Sequence, residues 1–153
     1  MKITELLVAE HRIFLSVFDQ IERALLGVTT LTEARMLARL VEGMLESHAG
    51  TETELAYLAL DHVLQDKGQL DRLHEEHHEI DTSLHLVHLA GDSARARFLL
   101  QAAIGASREH FAFEERTVFP LIESALQPET LAGLAATWMQ HLEARRLPIE
   151  TVV

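Results

Sequence analysis

The sequence predicts an all-α fold: an antiparallel up-down four-helix bundle followed by a short fifth helix at the C-terminus. Three observations carry this. Apolar residues recur at helical spacing over long stretches, without the alternation of a half-buried strand. Seven glycines and three prolines interrupt 153 residues, so the turns are few and the segments between them long. A unit also occurs twice, because Glu10-His11 followed by His48, Glu52 and Tyr57 is echoed by Glu76-His77 followed by His110, Glu114 and Phe119.

The first helix is expected from about Thr4, a residue suited to the N-cap, to Leu26, with Gly27 as a left-handed stop. Leu7, His11, Phe14, Phe18, Ile21 and Leu25 form its inward stripe. Thr32 is expected to cap a second helix running to about Gln65, with Gly68 in the following turn. Within it, Gly43 and Gly50 mark close packing or a bend. A third helix spans about Leu70 to Ala90 and stops at Gly91. The fourth starts at Asp92 or Ser93, carries His110 and Glu114, and meets Pro120, which is expected to kink or end it. Pro128 suits the first turn of a last amphipathic helix over about 129–146, whose stripe of Leu131, Leu134, Trp138 and Leu142 would serve as a flap on the bundle or a homodimer contact. Length and a 48% hydrophobic content fit one domain over residues 1–153, with the bundle at about 4–127.

Charge and composition narrow the function. A formal charge of −11 opposes broad contact with nucleic acid or with anionic lipid. No apolar run approaches the ~18 residues of a membrane span, and the N-terminus lacks a signal-peptide pattern, so a cytoplasmic location is expected. Without cysteine there is no disulfide or thiolate site, and any metal must be held by nitrogen and oxygen. Ten histidines are the compositional outlier.

The repeat sorts those histidines. His48 and Glu52, like His110 and Glu114, are four apart, so each pair projects from one helical face toward a common point. On the third helix, successive residues advance by about 100°, which places His77 roughly 35° from the centre of the apolar face, His74 roughly 95° and His78 roughly 135°. His77 therefore faces inward, in agreement with its echo of His11. His74 sits at the border as an additional ligand or a rim residue, and His78 faces solvent. His62, His85, His88 and His141 read as surface residues, Asp81 as a solvated acid, Glu115 as outside the site and Tyr57 as core. Four inward histidines and two inward glutamates are costly to bury unpaired, which favours a metal site over a buried polar network. Four imidazoles and two carboxylates suit iron, manganese or zinc. Six ligands exceed one tetrahedral zinc and fit two metals about 3.5–4 Å apart, bridged by Glu52 and Glu114.

With these motifs in place, the chain resembles the hemerythrin-like, His-His-Glu cation-binding family over nearly its whole length. The segment His110-Phe-Ala-Phe-Glu114-Glu115, followed by Phe119-Pro120, resembles that family's fourth-helix signature. Glu10-His11 is similar to its first-helix motif, and His48-x3-Glu52 to its second. The resemblance implies two non-haem iron ions with an oxo or hydroxo bridge, His11, His48, His77 and His110 as terminal ligands, and Glu52 and Glu114 as bridges. It also implies a small diatomic or peroxidic partner such as oxygen, nitric oxide or hydrogen peroxide. Oxygen-carrying hemerythrins have His-x3-His on the third helix and His-x4-Asp on the fourth. Here His74-x3-His78 lies on another phase and Glu115 stands in place of the Asp, so oxygen carriage is not inherited. The expected role is to bind or sense the small ligand. The alternatives are an enzyme that turns over peroxide or nitric oxide, iron storage or donation, and a metal-free helical interaction module.

Overall fold

The computed structural model describes residues 1–62 and 68–144, and every described element is helical. Helix α1 spans Ile3–Leu25. Helix α2 comprises Leu31–Thr51, a π-helical turn at Glu52–Tyr57 and a last α turn at Leu58–Asp61. Helix α3 spans Gly68–Leu89. Helix α4 comprises Ser93–Phe113, a second π-helical turn at Glu114–Val118 and Phe119–Ala125. Helix α5 spans Pro128–Ala144. The expected ends of the second helix at Gln65 and of the last at Arg146 lie outside the described residues, whereas Gly68 belongs to α3 and not to a turn.

Local chemistry sets the helix starts, in places one turn from the expectation. Lys2, not Thr4, is the first N-cap, and its backbone N–H donates to the Glu5 carboxylate at 2.9 Å. Thr4 lies inside the helix, and its hydroxyl reaches across to Glu123 at 2.5 Å. Thr30, not Thr32, caps α2, since Glu33 lies three residues on and completes a reciprocal capping box. Asp92 caps α4 by accepting from the Arg95 N–H at 2.8 Å. Gly27 is not left-handed, because α1 ends through backbone bonds that any residue could make. A side chain added at Gly43 or Gly50 would meet nothing within 4 Å, so neither marks close packing.

Two apolar cores fill the bundle. One joins Phe18 and Leu25 of α1, Ala38 and Val41 of α2, Leu84 and Val87 of α3, and Leu100 and Ile104 of α4. The other joins Ile3 and Leu7, Tyr57 and Leu60, Leu70 and Leu73, and Phe119 and Ile122 from the opposite ends of the same helices. This order of residues makes the four helices run up, down, up and down. Leu131, Ala135 and Trp138 of α5 complete the second core and Leu134 packs against it, whereas Leu142, expected on the same stripe, is exposed. The predicted His and Glu positions fall between the two cores on all four helices.

Pro120 neither ends nor breaks α4. It falls in the first turn of the α segment that follows the π turn, where a missing N–H is tolerated. Proline is not the cause of the π turn, because α2 makes the same turn at the same repeat position with Leu58 in place of proline. A π turn takes more residues than an α turn. Tyr57 and Phe119, five residues after Glu52 and Glu114, are thereby kept on the core side.

Candidate metal centre

The structure brings the six sequence-predicted donors together as two groups. His11, His48, Glu52 and Glu114 form one, and Glu52, His77, His110 and Glu114 form the other, each with one donor atom per residue and all such atoms within 4.8 Å of one another. Glu52 and Glu114 belong to both. The Nε2 atoms of His11 and His48 approach to 2.9 Å, His48 Nε2 lies 3.1 Å from Glu52 Oε1, and His11 Nε2 lies 3.3 Å from Glu114 Oε2. Across the site, His110 Nε2 is 3.4 Å from Glu114 Oε1 and His77 Nε2 is 3.5 Å from Glu52 Oε2. Donors about 2.1 Å from one cation and at right angles are about 3 Å apart, close to these separations.

The residues fit a metal on grounds of unmet bonding as well. Both oxygens of Glu52, Glu114 Oε2 and His110 Nε2 are buried without a hydrogen-bond partner. The neighbouring imidazoles lie within ion-pair range but not in hydrogen-bonding geometry. Buried carboxylate oxygens in that condition are unfavourable unless a positive charge meets them.

Three histidines are oriented from behind by carboxylates. His48 Nδ1 lies 2.9 Å from Glu10, His110 Nδ1 2.8 Å from Glu76, and His11 Nδ1 2.9 Å from Glu115. With each Nδ1–H donating to its carboxylate, Nε2 is left as the atom facing the centre. Glu10 and Glu76 each precede a histidine of the donor groups on their own helix but hold the histidine of the neighbouring one. A residue one step along a helix points about 100° away, which aims it at the adjacent helix and not at the centre. Their place before His11 and His77 in the repeat was the available signal. Glu115 joins neither donor group, as expected, but one step past Glu114 it reaches the neighbouring helix and holds His11 from behind.

Aromatic packing holds the rings. Phe111 stacks on His11 with centroids 4.0 Å apart, and the Phe119 ring lies 5.6 Å from the same imidazole. His11 meets His48 edge-on at 4.8 Å, and His77 meets His110 edge-on at 4.5 Å. Tyr57, in the repeat position of Phe119, is buried core as expected, but its hydroxyl also donates to Glu114. Burial, and then the charges of Glu52 and Glu114, push its phenol well above its ordinary value, so it remains a donor.

The electrostatics favour positive charge at the centre. Burial pulls His48 down, but the nearby Glu52 carboxylate and the hydrogen bond to Glu10 outweigh it and push it up to about 10. Burial likewise opposes the charge on His110, and the close Glu114 carboxylate together with the hydrogen bond to Glu76 raises it to about 9. His11 is raised by Glu114 and Glu52 against its own burial, while the histidines hold Glu52 well below the carboxylate range although burial works the other way. The field that keeps protons on these rings would equally hold a cation in their place.

The remaining histidines sit apart. His74 is exposed, meets the Tyr57 ring edge-on at 6.0 Å and joins neither donor group. His62, His78, His85 and His141 are exposed, and His88 pairs with Glu42 at 2.9 Å. Asp81 is exposed, as expected.

The family model described as the hemerythrin HHE cation binding domain matches residues 2–122. No curated protein and no solved structure matches the chain.

Proposed function

Since the chain belongs to the hemerythrin HHE cation-binding domain family, we propose that it is a non-haem di-iron protein that binds or senses a small diatomic or peroxidic ligand. One observation carries the reading: the same two buried carboxylates, Glu52 and Glu114, complete both donor groups. Two cations sharing two carboxylates is the arrangement this supports, with His11 and His48 holding one ion and His77 and His110 the other. The nitrogen and oxygen donors suit iron, with manganese and zinc as the competitors. Bound there, a pair of irons would supply reversible coordination and electron exchange toward oxygen, nitric oxide or peroxide.

The chain's own residues supply selection by size. A cavity of about 20 Å³ adjoins the centre, lined by Ala49, Ile80 and Phe111 and by the rings of His48, His77 and His110. A space of that volume is on the scale of a molecule of one or two heavy atoms and is too small for an organic substrate. The apolar walls keep bulk water from the carboxylates. Glu10, Glu76 and Glu115 fix three imidazoles, and Tyr57 offers one hydroxyl donor at Glu114.

The test is metal content per chain after iron-replete expression, followed by spectra on exposing the reduced protein to oxygen, nitric oxide or peroxide. Two irons per chain and a stoichiometric spectral change, both lost in His110→Ala, are expected. Sustained consumption of peroxide or nitric oxide would replace the binding role with an enzymatic one. More than two labile irons per chain would point to storage.

A further inference from the structure

The two donor groups are related by the internal repeat, and the repeat is broken at one place that matters to the histidines. Glu10 holds His48 and Glu76 holds His110, so those two contacts are equivalent. The third contact, Glu115 to His11, has its counterpart at Thr53, the residue after Glu52, which would have to hold His77. Threonine is too short to reproduce it. Among the described residues His77 Nδ1 has no hydrogen-bond partner, and Asp81, one turn further along α3, is exposed and not bonded to the ring.

Solvent access follows the same asymmetry. The His77 side chain is 14% exposed, against 0–2% for His11, His48 and His110. A groove of about 380 Å³ opens beside it, lined by Glu46, Thr53, Glu54, His74, His78 and Asp81 among others. Its three carboxylates would raise the local concentration of cations at the one ligand that faces water.

We propose that the two metal positions differ in tenacity: the His77/His110 position exchanges its ion with solution through the Thr53 groove, and the His11/His48 position keeps its ion. This rests on the di-metal reading above. Partners behind ligand histidines change metal affinity by about 10–100-fold, so a difference of that order in release is expected.

The experiment loads the full chain with iron(II) without air, adds excess chromogenic chelator and follows release. Two phases of one iron each are expected, with rates about 10–100-fold apart. Glu115→Gln should accelerate the slow phase until the two merge, and Thr53→Glu should slow the fast phase. Should Thr53→Glu not fold, the Glu115→Gln result decides alone. Two irons leaving the wild type in a single phase, or a slow phase unaffected by Glu115→Gln, would overturn the inequivalence while leaving the di-metal site standing. A chain that binds no stoichiometric iron would overturn the di-metal reading, and this proposal with it.

Discussion

The sharing of Glu52 and Glu114 makes a quantitative distinction between substitutions that lie a few ångströms apart. Glu52 belongs to both donor groups, whereas His11 belongs to one. Glu52→Ala should therefore cost both metals and His11→Ala one. Each ion present at a hundredfold excess over its dissociation constant stabilises the folded chain by about 2.7 kcal/mol, and two by about 5.4 kcal/mol. For a chain of this size about 1 kcal/mol moves Tm by about 2–4 °C. The wild type should gain about 10–20 °C on metal addition. His11→Ala should gain about half of that, and Glu52→Ala close to none. The assay is thermal unfolding of each variant with and without metal, and the within-variant shift removes the cost of the cavity each substitution leaves. Metal analysis of the same samples supplies the stoichiometry. Equal shifts for Glu52→Ala and His11→Ala would refute shared bridging, and no shift in the wild type would refute the metal site.

Other consequences follow from neighbouring contacts. Trp138 is 1% exposed in the core that α5 completes, so Trp138→Ala should cost about 3–5 kcal/mol in denaturant unfolding; a loss under about 1 kcal/mol would mean that α5 is not part of the stable fold. Glu10→Gln should weaken metal binding by about 10–100-fold at the His11/His48 position, read by competitive titration, and an effect spread equally over both ions would contradict the assignment. Ala49→Leu should fill the cavity beside the centre while leaving metal content unchanged. A ligand that must displace that side chain meets about 1–3 kcal/mol of overpacking, or about 5–150-fold in affinity measured spectrally. Unchanged affinity would place the ligand elsewhere.

How much of this was legible in the sequence depends on where regular helical phase holds. His77 was separable from His74 and His78 because α3 is an unbroken α-helix, and 100° per residue placed its rings correctly. Glu115 stays outside both donor groups, and regular phase could not show that one step past Glu114 brings it to His11 on the neighbouring helix. Glu10 and Glu76 were visible only as members of the repeat. Their role depends on which helix is the neighbour, a tertiary fact. The misplaced caps have a different origin. Thr30 and Thr32 are equal as isolated N-caps, and Glu33, three residues after Thr30, distinguishes them. At Gly27 the chain leaves the helix without a positive φ, so glycine there marked the end of α1 but not the geometry of the turn.

The donor geometry supports a pair of metals held between His11/His48 and His77/His110 and joined by Glu52 and Glu114. Anomalous diffraction at the iron absorption edge, on crystals of the iron-loaded chain, tests it most directly. Two peaks about 3.5–4 Å apart, one beside each histidine pair and both within bonding reach of Glu52 and Glu114, are the expected result. A single peak, or peaks seated at His74 and His78 on the surface of α3, would contradict it.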